Sequence, residues 1–114
     1  MRVQSFSRTQ IVQELNVQCL ELAAYDNRGF QQQFEELNEV GTSLPKIVGD
    51  SEINRGKNRY PYVLPYDHCR VRLSIQNSQQ HTDYVNANFV PGGCSERDFI
   101  CTQGPLSNTI ADFW

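Results

Sequence analysis

Three cations and three tyrosines crowd into one short stretch, Asn54-Arg55-Gly56-Lys57-Asn58-Arg59-Tyr60-Pro61-Tyr62-Val63-Leu64-Pro65-Tyr66-Asp67. Clustered Arg and Lys supply positive potential for a phosphate or carboxylate, and tyrosine rings supply flat faces on which an aromatic ligand stacks. A phosphorylated aromatic ligand satisfies both demands. The same residues are also compatible with a solvated basic loop whose rings cover a neighbouring core. Pro61 and Pro65 stiffen the segment, since each fixes its own φ and restricts the residue before it.

The charge distribution favours a local anion site over a nucleic-acid surface. Residues 1–54 carry four basic and eight acidic side chains, whereas 55–72 carry Arg55, Lys57, Arg59, Arg70 and Arg72 against Asp67 alone. The whole chain has a net charge of -3 and a pI near 5.3, and a nucleic-acid binder is more often basic overall. The cysteines at 19, 69, 94 and 101 form no C-x-x-C pair, and only His68 and His81 could join them, so zinc spacing is absent and reduced thiols are expected. No metal or cofactor is implied.

The elements that position this stretch follow from periodicity. Ser7-Arg8-Thr9-Gln10 fits a capping box, with Phe6 and Ile11 placed as a hydrophobic staple. Ile11, Leu15, Cys19 and Leu22 then mark an amphipathic helix to about Tyr25, broken by Asp26-Asn27-Arg28-Gly29. Phe30, Phe34 and Leu37 mark a second helix closing at Gly41, so residues 1–41 read as a helical hairpin, either a brace for a following sheet or an association surface. Thr42 to Arg59 lacks periodicity and reads as a long loop.

Three strands follow. In Arg70-Val71-Arg72-Leu73-Ser74-Ile75 apolar and polar residues alternate, which turns the arginines outward; Gln76 to Thr82 is a polar turn. Asp83 to Val90 is the second strand, stopped by Pro91-Gly92-Gly93, and Phe99 to Thr102 is the third, paired with it as a hairpin. Asn86 and Asn88 share one face of an otherwise apolar strand, and buried amides persist only with partners, so they are expected to pin a neighbouring loop. Ser107 or Asn108 reads as the cap of a last helix that has run only about two turns when the sequence stops, which reads as truncation. The 114 residues of 13.1 kDa set a ceiling of one domain, with no apolar run near ~18 residues and no secretory leader, so a cytosolic setting is expected.

Five motifs in this order carry a resemblance. Lys57-Asn58-Arg59-Tyr60, Pro65-Tyr66-Asp67, Asp83-Tyr84-Val85-Asn86-Ala87, Thr102-Gln103-Gly104-Pro105 and Asp112-Phe113-Trp114 resemble the ordered motifs of the protein tyrosine phosphatase domain. The hairpin ending Gly29 to Leu37 resembles the membrane-proximal helices of receptor-type members.

The resemblance implies an α+β fold, in the family a mixed twisted sheet flanked by helices. Residues 1–41 would be the membrane-proximal hairpin, and 42–114 the recognition loop and first strands of an incomplete domain. It implies that Tyr60 stacks on the substrate ring and sets a pocket depth that excludes phosphoserine and phosphothreonine. Lys57, Asn58, Arg59 and Tyr62 complete the substrate-binding loop, where Tyr62 stands in a position often held by Asp or Asn. Asn86, Gln103 and Gly104 would support the active site. Phosphotyrosine proteins would be the partners, on the cytoplasmic side of a single-pass plasma-membrane receptor, with no nucleic acid and no membrane contact by this stretch.

The family nucleophile lies in a Cys-x5-Arg loop, and here Cys19 leads to Tyr25, Cys69 to Ile75, Cys94 to Ile100 and Cys101 to Ser107. The 114 residues alone are therefore expected to be inactive. A non-catalytic phosphotyrosine-binding or regulatory short form is the alternative, and a nucleic-acid-binding protein using the basic patch a third reading.

Overall fold

The structure is a computed structural model that describes residues 7–114, and it divides into two compact units, residues 1–42 and 43–114. Phe6, one half of the expected staple, lies outside the described residues.

In the first unit the capping box forms as the sequence suggests. Ser7 Oγ accepts from the Gln10 N–H at 3.3 Å and Gln10 Oε1 accepts from the Ser7 N–H at 3.0 Å, opening α1 (Arg8–Glu36). The helix is interrupted at Ala24, which is extended, and at Tyr25, Asp26 and Asn27, which have φ of 53°, 62° and 62°. The break falls slightly earlier than expected, because Asn and Asp tolerate the left-handed region that ends a helix. The chain turns back sharply there. A Cβ on Gly29 would lie 2.8 Å from the Leu22 Cα, seven residues away, which in a straight helix is about 10 Å of rise. A 3-10 turn, Leu37–Glu39, and Gly41 at φ 74° close the unit. Ile11, Leu15, Phe34 and Leu37 are all exposed, and no helix of the described residues is long and apolar enough to cross a membrane.

The second unit is built on a three-stranded antiparallel sheet in the order β1 (Arg70–Arg72), β2 (Tyr84–Val90), β3 (Phe99–Thr102). With the helical unit this makes the chain α+β. Its buried centre is β2, where Tyr84, Val85, Asn86 and Ala87 are all covered. β3 pairs with β2 from Ala87↔Thr102 to Val90↔Phe99.

Three expectations are corrected here. Thr42 to Arg59 is not a featureless loop, for it holds α2 (Ile47–Asp50) and α3 (Glu52–Arg55). Helices of four residues are too short to show a period. The start of α2 is fixed instead from a distance, by Asp67, whose carboxylate accepts from the Ile47 and Val48 N–H groups at 2.9 and 3.0 Å, while α3 opens at Ser51, whose carbonyl accepts from the Asn54 and Arg55 N–H groups. Secondly, Arg70 does not face outward. It is buried, with its guanidinium 2.9 Å from the Asp83 carboxylate, and its Nε finds no acceptor among the described residues. The strand ends at Arg72, and the Leu73 N–H donates to the Asp83 carbonyl at 2.7 Å across an irregular register. Thirdly, the last helix, α4 (Ile110–Phe113), is preceded by Thr109, whose hydroxyl accepts from the Leu106 N–H at 2.8 Å.

Candidate functional site

Asn58 is the knot of the loop that the sequence singles out. Its amide donates to the Gly49 carbonyl at 2.8 Å, and its Oδ1 accepts from the Tyr84 hydroxyl at 2.5 Å and from Asn86 Nδ2 at 3.2 Å. Asn86 donates also to the Val63 carbonyl at 2.7 Å. One residue pair along β2, Asn88 holds both backbone groups of Tyr66, accepting from its N–H and donating to its carbonyl, each at 3.2 Å. The two strand asparagines thus tie down both ends of the Val63–Tyr66 turn. Close packing makes this possible at Gly49, where a Cβ would come within 2.8 Å of the Tyr84 hydroxyl and 3.1 Å of Pro65.

The cations of the loop are engaged by carbonyls and carboxylates of the chain itself. Arg59 Nε donates to the Gly104 carbonyl at 3.0 Å and Nη2 to the Pro105 carbonyl at 2.9 Å, while the Arg59 N–H donates to Gln103 Oε1 at 2.9 Å. Gln103 returns the contact from Nε2 to the Lys57 carbonyl at 2.8 Å. The Lys57 ammonium donates to the His81 carbonyl at 2.7 Å and to Asn54 Oδ1 at 3.0 Å, and burial pushes its pKa down against the opposing pull of Asp112 and Asp83. Arg55 is held by Asp50 and Arg70 by Asp83. Positive charge read from composition as anion-binding potential is largely spent on shaping the loop.

What the loop presents outward is aromatic. Tyr60 is 61% exposed and Tyr62 91% exposed, both on a backbone closed by the Val63 N–H donating to the Tyr60 carbonyl at 3.3 Å. Lys57, Asn58, Arg59, Asn86, Gln103 and Gly104 therefore meet in one network that holds the loop carrying two exposed tyrosine rings. A rigid ring edge of this kind can stack against a flat ligand with little ordering cost.

Sequence reasoning passed over several members of this network. Asn54, buried, donates to the Val48 carbonyl at 3.0 Å; Asn108, expected only as a candidate helix cap, donates to the Gly56 carbonyl at 3.0 Å; Tyr84 reads in the sequence as a strand and family-motif residue with no contact assigned. The signal for Tyr84 was available in principle, since a tyrosine leading an apolar strand needs a partner for its hydroxyl once buried.

Burial raises the Tyr84 pKa to about 12, with the Asn58 contact opposing the shift. A phenol with a raised folded pKa contributes stability that is fully present below its unfolded value, about 10, and is lost as pH rises through about 12. Stability should therefore decline between these pH values. In Tyr84→Phe the tyrosinate absorbance that develops only near pH 12 should vanish, and the alkaline decline should flatten. An unchanged late absorbance step would contradict the assignment.

Comparison with known proteins bears on residues 54–114, which match the family model described as protein-tyrosine phosphatase. Receptor-type tyrosine-protein phosphatase eta of Mus musculus is 54% identical over 91 residues, covering 80% of this chain and 7% of the relative. Receptor-type tyrosine-protein phosphatase V of Rattus norvegicus is 50% identical over 92 residues, covering 81% and 5%. Tyrosine-protein phosphatase non-receptor type 12 of Homo sapiens is 41% identical over 91 residues, covering 75% and 12%. The chain thus spans a small part of the length of the curated relatives it matches.

Proposed function

Since the chain belongs to the protein-tyrosine phosphatase family, we propose that it supplies the phosphotyrosine-recognition loop of a phosphatase domain whose nucleophile lies outside these 114 residues. The family reaction hydrolyses phosphotyrosine in proteins through a cysteinyl-phosphate intermediate, and none of the four cysteines here is followed by arginine at the required spacing. This stretch therefore binds and orients. Residues 1–41 form the membrane-proximal hairpin and 42–114 the loop and first strands of the domain. The receptor-type names of the relatives support a parent receptor, and our reading of it is a single-pass plasma-membrane protein with this domain on its cytoplasmic side.

The observation that carries this reading is the contrast within the loop. Its polar side chains are consumed by internal bonds, while the Tyr60 ring stands free on the backbone that those bonds hold still. A phosphotyrosine ring lying against Tyr60 would bring its phosphate to a fixed depth. Shorter phosphoserine and phosphothreonine side chains would not reach it. Arg59, Asn58 and Lys57 act through the loop's shape, with Asn86, Gln103 and Gly104 as its support; Tyr62 flanks the entrance.

The test is Tyr60→Ala in the phosphatase domain that contains this stretch. Loss of the ring contact, about 0.5–1.5 kcal/mol, should lower kcat/KM toward a phosphotyrosine peptide roughly 2- to 12-fold. Tyr60→Phe keeps the face and should stay near wild type. If the alanine variant keeps full kcat/KM per folded molecule and loses only thermal stability, Tyr60 covers a core and recognises nothing.

A further inference from the structure

The interruption of α1 places a tyrosine where a modifying enzyme can take it. Tyr25 is 89% exposed, heads a run of three residues at positive φ, and is followed by Asp26 and Asn27. An acid also stands four residues before it, Glu21. We propose that Tyr25 is a phosphorylation site for a protein tyrosine kinase, and that the modified turn docks a phosphotyrosine-binding module that reads the asparagine two residues on.

The alternatives within the chain are worse substrates. Tyr84 is fully buried, and Tyr66 has its N–H and carbonyl both held by Asn88 and a lysine, Lys46, 4.9 Å above its ring. Tyr60 and Tyr62 are exposed, but they sit on a loop cross-linked to two other segments and stiffened by Pro61 and Pro65. A kinase must draw its substrate out into an extended strand, and the pinned loop resists this. The turn at Tyr25 does not. Left-handed φ is unfavourable for a bulky residue such as Tyr25, so drawing the segment out relieves strain there.

In the transfer, the Tyr25 phenolic oxygen attacks the γ-phosphorus of a nucleoside triphosphate. The bond from that phosphorus to the β-phosphate oxygen breaks, the nucleoside diphosphate leaves, and the phenol proton passes to the kinase base. The product carries about -1.5 to -2 charge with three acceptor oxygens, which suits an arginine pocket. Asn27 adds a side-chain donor and acceptor on the same turn, able to pair with a backbone segment of the reader as Tyr25 fills its pocket.

The 114-residue chain is incubated with a broad-specificity protein tyrosine kinase domain, ATP and Mg2+, and phosphate is mapped by mass spectrometry. Tyr25 should carry the majority of it, and Tyr25→Phe, conservative at an exposed position, should abolish that fraction while leaving the circular dichroism spectrum unchanged. The phosphorylated chain should then bind an SH2 domain that selects asparagine two residues after phosphotyrosine. Asn27→Gly, which removes the amide yet tolerates positive φ, should weaken this binding about tenfold at equal phosphorylation. Phosphate found mainly on Tyr60 or Tyr62 overturns the site, and equal binding by Asn27→Gly overturns the docking.

Discussion

Replacing Asp83 with alanine should lower the free energy of unfolding by about 3–5 kcal/mol, the usual cost of stripping one partner from a buried ion pair. Arg70 keeps only 5% of its side chain exposed, and Asp83, at 2.9 Å, is its one ion-pair partner among the described residues. Without the carboxylate, a guanidinium remains in a place that water does not reach. The Asp83 carbonyl would still receive the Leu73 N–H and one guanidinium nitrogen, so β1 loses its charge balance and keeps its register. Urea unfolding of the wild type and variant measures the difference. Replacing both partners together, Arg70→Met with Asp83→Leu, should recover much of the loss, because no orphan charge is left. A single-variant loss below about 1 kcal/mol would mean that Arg70 swings to solvent.

Asn58→Ala should cost about 3 kcal/mol, since each buried polar group deprived of its partner costs roughly 1–3 kcal/mol. The Gly49 carbonyl and the Tyr84 hydroxyl lose their Asn58 partner outright, while Asn86 retains Val63. The effect should not add to that of Tyr84→Phe. In a double-mutant cycle the coupling should reach about 1 kcal/mol, the range for side chains in one network. Independent, additive losses would show that the hydroxyl and the amide do not share a bond. The variant should also loosen the loop below Tyr60, so faster hydrogen exchange at Arg59 and Val63 is part of the same expected result.

The contrast between Asn58 and Arg70 shows which parts of such a site are legible in a sequence. Strands β2 and β3 could be located because alternation and breakers act locally, and Asn86 and Asn88 could be assigned a pinning role because amides in an apolar strand need partners. Family motifs pointed to the protein-tyrosine phosphatase family, whose model residues 54–114 match. The direction of the cations could not be read. Arg59 and Lys57 end on backbone carbonyls, which every residue carries and no letter of the sequence marks. Arg70 was misread for a related reason: alternation says that two faces exist, but the acid that draws Arg70 inward is thirteen residues away. Helix α2 escaped because its cap, Asp67, lies about twenty residues downstream of the N–H groups it satisfies, and α3 because four residues are too few to show a period.

The grip of Arg59 on Gly104 and Pro105 joins residues 45 and 46 positions apart, and Gln103 reaches Lys57 across 46. Contacts this distant in sequence close last, because the entropy of a long loop is lost before the bond is gained. During synthesis the loop around Tyr60 is made before the segment from Gln103 to Pro105 and stays without its final form until that segment has emerged. The Tyr60 ring is thus set in place by the arrival of the segment that holds its loop, so a nascent chain shorter than this span presents the tyrosines without their final shape.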